Sequence, residues 1–223
     1  MLSKTDHDAI AQAVGRAEAR TSGEILCVLA HKVSNYRETP LAWAAIAALV
    51  LPPVAVASGL RAPIGGSAWD SALVGTEGAV RMALGGYALA QMAIFVVVAV
   101  LIAAVGPLKL ALTPGVLKHR RVRQAALAQL RAARLLGADV GAAVVVFASL
   151  EDRIVAVVGD EAIHAKVGDE AWAKAVTAVQ DGVRRGAPAS GFIAAVELCG
   201  AVLAEHFPAS GAPHHLADGV MEV

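Results

Sequence analysis

Five carboxylates crowd one stretch of the chain: Asp152, Asp160, Glu161, Asp169 and Glu170. Grouped acids suit Mg²⁺ or Ca²⁺, hard cations that take oxygen ligands, and a bound ion could polarise a phosphoryl group. That chemistry makes Asp152, Asp160 and Asp169 the candidate metal ligands, and a divalent-cation-dependent phosphatase one possible activity. The same positions also meet a simpler demand. Asp160 and Asp169 stand where helix N-caps belong, and an N-cap Asp accepts a backbone N–H with no ligand present. Glu161 and Glu170 are natural first-turn acids beside a positive helix end. Capping asks only for local helix geometry, so it ranks ahead of metal binding. No P-loop, GxSxG elbow or CxxxxxR phosphatase loop occurs, and the sequence therefore assigns no catalytic residue.

The other polar candidates are basic groups and thiols. His164 has the titration range of a general acid or base, although on a short amphipathic helix a histidine is more often packed or at the surface. His206, on a last helical turn, gains from the negative helix end. His214 and His215 are adjacent and metal-capable. Lys118, Arg120, Arg121 and Arg123, with His119 among them, can meet anionic lipid headgroups. The same charges also serve to set membrane topology. Cys27 and Cys199 have apolar neighbours and no CxxC partner, which predicts two buried, reduced side chains.

These residues lie in an unusually apolar chain, 57% hydrophobic and only 17% charged, against roughly half and a quarter in soluble domains. Basic and acidic residues balance at 19 each, so no nucleic-acid partner is expected. The opening residues are polar and do not read as a cleavable signal peptide. Residues 41–60 and 82–108 are two uncharged runs, each long enough to cross a hydrocarbon core with about 20 helical residues. Pro52-Pro53 should kink the first. Lys and Arg concentrate in residues 1–40 and after residue 108, while the 61–81 connection has only Arg61 and Arg81. The positive-inside rule then places both termini in the cytoplasm and the short loop outside.

The elements that must position the candidate residues follow from periodicity. Ser3 or Thr5 caps a first helix with Ile10, Val14 and Ala17 on one face, and residues 24–30 form a buried strand. Beyond the second span, residues 117–136 form a basic helix with the stripe Val122, Ala126, Leu130 and Ala133. Residues 142–148 and 153–158 form a strand hairpin, and 160–167 a short helix. A longer helix carries Trp172, Val176, Val179 and Val183, and a last one Phe192, Val196, Cys199 and Leu203. Pro208 ends it, and residues 209–223 read as a flexible tail. Residues 1–40 are too few to bury a core. They should combine with 109–208, residues 24–30 pairing parallel to 142–148, into a small mixed α/β sheet flanked by helices and interrupted by a two-helix transmembrane hairpin.

This arrangement resembles the TPM domain family, in particular its bacterial branch with two transmembrane segments inserted after the first strand. The likeness is carried by Glu18-Ala19-Arg20-Thr21-Ser22-Gly23-Glu24-Ile25, by Ser34-Asn35-Tyr36-Arg37 and by the run from Val144 to Val155. The stretch from Gly159 to Trp172 and Leu203-Ala204-Glu205-His206-Phe207-Pro208 complete it. The resemblance implies a multi-pass protein of the bacterial inner membrane. Plant members are associated with acid phosphatase activity and photosystem repair, and an animal member is a receptor accessory protein. Relatives often carry a glycine-containing turn after the third strand and an acid before the next helix. Gly159 and Asp169 match those elements, while Ala162 stands where glycine is usual. Two functions follow as expectations: a non-enzymatic accessory module for other membrane proteins, or the phosphatase.

Overall fold

The computed structural model describes residues 2–58, 75, 77–136, 142–209 and 219–223, the side chains of Ala79, Leu136 and Asp169 excepted. The chain divides into two compact units, Met1–Ser34 with Gly115–Val223, and Asn35–Pro114.

The first unit is mixed α/β. Helix α1 (Lys4–Glu18) begins with Ser3 as N-cap, in a capping box with Asp6. Strands β1 (Gly23–Ala30), β2 (Ala142–Ser149) and β3 (Ile154–Gly159) follow the apolar runs of the sequence. β1 and β2 pair in parallel from Gly23↔Ala142 to Ala30↔Ser149, and β2 and β3 form the antiparallel hairpin. Every residue of β1 and β2 is buried, because helices cover both faces of the sheet. Successive side chains alternate between those faces. Leu26, Val28, Val145 and Phe147 meet the stripe of α5 (Gly115–Leu136), namely Val122, Ala126, Leu130 and Ala133. On the other face, Ile25, Cys27, Val144 and Val146 share a core with three helices: α1, α7 (Ala173–Arg184) and α8 (Pro188–His206).

The sheet has a fourth strand that periodicity did not predict. Val220–Glu222 forms β4, parallel to β1, and gives the order β3-β2-β1-β4. The end of the expected flexible tail is thus a sheet edge. Its physical reason is the open side of β1, whose backbone groups need partners. β4 serves Cys27 to Leu29, and the buried Glu18 carboxylate accepts the Ile25 N–H at 2.7 Å. Glu222 Oε1 in turn accepts Leu2 N–H at 2.8 Å and lies 3.2 Å from His7 Nε2. The Leu2 bond is the main reason the Glu222 carboxyl titrates below its ordinary range, with His7 adding to it.

The second unit contains α2 (Glu38–Ala57), α3 (Glu77–Ala104) and α4 (Gly106–Leu112). α2 and α3 pack side by side. Pro52 and Pro53 lie inside the one helix α2. The run expected as a single span over 82–108 is instead broken at Val105, which leaves helical geometry (φ −102°, ψ 91°) before α4 begins. Pro107 explains the break, since it has no N–H to continue the preceding ladder but fits a helical first turn. At the base of this unit Thr39 and Thr113 hydroxyls bond at 2.9 Å, and Trp43 Nε1–H donates to Leu112 O at 3.0 Å.

Among the described residues, three helices are long and apolar enough to cross a membrane: α2, α3 from Val80 onward, and α8. Their surroundings differ. Only 6% of the α3 window and 22% of the α2 window are buried, against 44% for α8. In α8 the apolar stripe Phe192, Val196, Cys199 and Leu203 is fully buried in the α/β core. α2 and α3 instead expose Leu49, Leu51, Leu84, Leu89, Met92 and Val97, each more than half accessible.

Candidate functional site

Asp160 does what an N-cap does and more. Its Oδ1 accepts the Ile163 N–H at 2.9 Å, starting α6 (Glu161–His164). Its Oδ2 accepts the Ala143 N–H at 2.9 Å and a hydrogen bond from Arg134 Nη2 at 2.7 Å. The Asp160 N–H also donates to Ala143 O at 3.0 Å. One buried carboxylate thereby ties together the last turn of α5, the start of β2 and the start of α6. Both oxygens are engaged by the fold.

Asp152 lies at the opposite end of the β2–β3 hairpin. Its Oδ2 accepts the Ser149 hydroxyl at 2.8 Å, and the Asp152 N–H points back to Ser149 Oγ at 3.4 Å, closing the turn. Between Asp152 and Asp160 runs the six-residue β3. At about 3.3 Å per residue the two acids stand roughly 20 Å apart, so they do not share an ion. The carboxylates that crowd the sequence are separated because the strand between them is extended.

Asp169 opens a 3₁₀ turn, Asp169–Trp172, whose N-cap is Gly168 rather than Asp169. Its side chain lies outside the described part of the structure. Glu161, Glu170 and His164 are exposed. Among the described residues, no three His, Cys, Asp or Glu side chains gather in a way that could hold a metal ion. His214 and His215 fall outside the described residues. His206 ends α8, where its carbonyl accepts Lys166 Nζ at 3.4 Å; the same ammonium lies 4.4 Å from the Phe207 ring centroid. On α5, Arg120 and Arg123 are exposed and Lys118 and Arg121 half-buried.

The structure also joins two sequence segments that carried the family likeness. Thr21 donates its hydroxyl to Phe207 O, Ser22 N–H donates to the same carbonyl at 3.0 Å, and Thr21 bridges Pro208. The α1–β1 junction and the end of α8 are therefore one structural knot. Its pairing spans 186 residues of sequence, which no local pattern could signal.

The two cysteines are free and buried, as expected. Burial pushes both thiols up, Cys199 to about 12 and Cys27 further, the latter also through the nearby Cys199 and Glu18. A thiol that stays protonated is a poor nucleophile. Iodoacetamide at pH 8 is accordingly expected to label neither cysteine in the folded chain and both after denaturation. Rapid native labelling of either would contradict the packing around them.

Comparison with known proteins gives a fold and little else. A solved structure, the NMR structure of the BA42 protein from the psychrophilic bacterium Bizionia argentinensis, is similar with a TM-score of 0.56. The alignment covers 100% of this chain and 96% of that one, at 15% identity. At that identity the likeness is one of fold alone. No family model matches the chain, and no curated protein matches it.

Proposed function

We propose that the chain is a membrane-anchored TPM-like protein whose α/β unit is a non-enzymatic accessory module for other membrane proteins. The observation that carries this reading is the employment of the acids. Asp160 and Asp152, two of the three candidate metal ligands, close a helix start and a strand turn. Asp160 in particular accepts from Ile163, Ala143 and Arg134, which leaves it little acceptor capacity for a cation or a reacting phosphoryl group.

Membrane anchoring in this proposal is by α2 and α3 as a hairpin. Their exposed leucines, valines and methionines would be costly in water and are at home in lipid. Apart from Glu38 in α2 and Glu77 and Arg81 in the first turns of α3, these helices carry no Asp, Glu, Lys, Arg or His, so they offer no charged pathway of the kind a transporter needs. Two crossings return the chain to the side it left. The basic residues on either side of the hairpin put both termini in the cytoplasm of a bacterial inner membrane, with residues 61–81 outside. Lys118, Arg120, Arg121 and Arg123 then face anionic headgroups. The resemblance to the TPM family, one of whose members is an accessory protein, points the same way.

The test pairs recovery with activity. The full chain, purified from its own membranes in mild detergent after cross-linking, should bring a membrane protein in fixed ratio. It should hydrolyse p-nitrophenyl phosphate no faster with Mg²⁺ or Ca²⁺ than with EDTA. Divalent-dependent hydrolysis that Asp152→Asn abolishes would overturn the non-enzymatic reading.

A further inference from the structure

We infer that the cavity beneath the β2–β3 turn receives a carboxylate side chain of the partner protein. This inference rests on the accessory-module reading and names the chemistry that the partner must present. The cavity is about 60 Å³ and is lined by Ser149, Arg153, Val155, Gln180, Val183 and Arg184. That is room for a few water molecules, far below the roughly 300–1,000 Å³ of a pocket for a cofactor or drug-sized ligand. A single side-chain head fits; a nucleotide does not.

Its lining is suited to an acid on a short apolar stem. Two arginines from different elements line it, Arg153 in the turn and Arg184 in the last turn of α7. Guanidinium donors match the planar carboxylate bidentately. Among the described residues, neither Arg153 nor Gln180 has a hydrogen-bond or ion-pair partner. Arg184 has only Asp181, with Nη1 and Oδ1 3.6 Å apart on a side chain 74% exposed, a pairing weak enough in water for an incoming acid to replace. Of the acids in the turn, Asp152 holds the Ser149 hydroxyl and Glu151 pairs with Lys32. Val155 and Val183 form an apolar wall for the methylene groups of Asp or Glu. A phosphate would have no part to place against that wall.

Backbone geometry adds a separate argument. Arg153 sits at φ 55°, a left-handed conformation that Gly or Asn adopts readily and bulky residues rarely. The turn could be built more easily without arginine, yet this conformation brings the Arg153 side chain to the cavity wall. The position is also the carboxyl end of β2, where β1 and β2 run parallel, the edge at which open α/β sheets bind their ligands.

The test uses the ¹⁵N-labelled full chain in zwitterionic detergent, titrated with acetyl-Ala-Glu-Ala-amide, its Gln counterpart and inorganic phosphate. The Glu peptide is expected to shift the amide resonances of residues 153–155 and 180–184 saturably, and the Gln peptide to leave them in place. Arg153→Asn, which keeps a residue at ease in the left-handed turn, should weaken binding about tenfold or more, the loss of one charge-assisted hydrogen bond. Arg184→Gln should do the same from an exposed helix position. The inference is overturned by no response to the Glu peptide, by equal responses to both peptides, by unchanged affinity in both variants, or by a stronger response to phosphate. Any of these with a membrane protein still recovered alongside the chain ends the carboxylate proposal alone.

Discussion

Replacing Asp160 by alanine is expected to destabilise the α/β unit by about 2–4 kcal/mol. Loss of the N-cap bond to Ile163 accounts for about 1 kcal/mol. The Ala143 N–H, buried at the start of β2, is left without its acceptor, and an unsatisfied buried donor costs about 1–3 kcal/mol. Arg134 adds little, because its side chain is 43% exposed and can turn to water. Asp160→Asn should lie between the two proteins, since its amide oxygen can serve only one of the two N–H groups while its NH₂ faces the other. Alkylation of Cys27 and Cys199 against urea concentration measures these differences on the α/β unit itself, where both thiols are buried. An Asp160→Ala protein as stable as the wild type would show that the carboxylate does not hold these three elements together.

Gly182→Ala is expected to cost about 1–2 kcal/mol through a different mechanism. A Cβ on Gly182 would stand 2.6 Å from Gly191 Cα, 2.8 Å from Gly191 N and 3.0 Å from Ala187 O. All three are backbone atoms, so no side chain can swing aside, and α7 and α8 must part. That separation loosens the packing of Val179, Phe192 and Ala195, which are fully buried in the same core. Overpacking of this kind typically costs about 1–3 kcal/mol, and the better helix propensity of alanine returns at most about 1 kcal/mol. Gly115→Ala is the control: nothing lies within 4 Å of its added methyl, and stability should not fall. Equal stability of the two variants would mean that the helix crossing is looser than these distances require.

The parts of the fold that could be read in the sequence are those whose signal is local. β1 and β2 are continuous apolar runs because both faces are covered, and the stripe of α5 from Val122 to Ala133 appears at helical spacing because one face meets the sheet. Asp160 could be read as a cap from its place before a short helix. Its bonds to Ala143 and Arg134 could not, since they join residues 17 and 26 positions away. β4 was hidden for the same reason: three residues carry no period, and only the open edge of β1 makes them a strand. Asp152 and Asp160 are close in sequence but stand at opposite ends of β3, because closeness along an extended chain is not closeness in space. The break at Val105, by contrast, had a signal in Gly106-Pro107. α8 shows the limit of composition: apolar enough to span a membrane, it is the central helix of the α/β core.

The most direct test of the account asks on which side of the membrane three points of the chain lie. A reporter active only in the cytoplasm is fused in turn before the first residue, after Val223 and within residues 61–76. The proposed architecture requires activity at both ends and none at the internal position, with the complementary pattern for an externally active reporter. External activity at either terminus, or cytoplasmic activity at 61–76, would contradict a membrane hairpin set between β1 and α5.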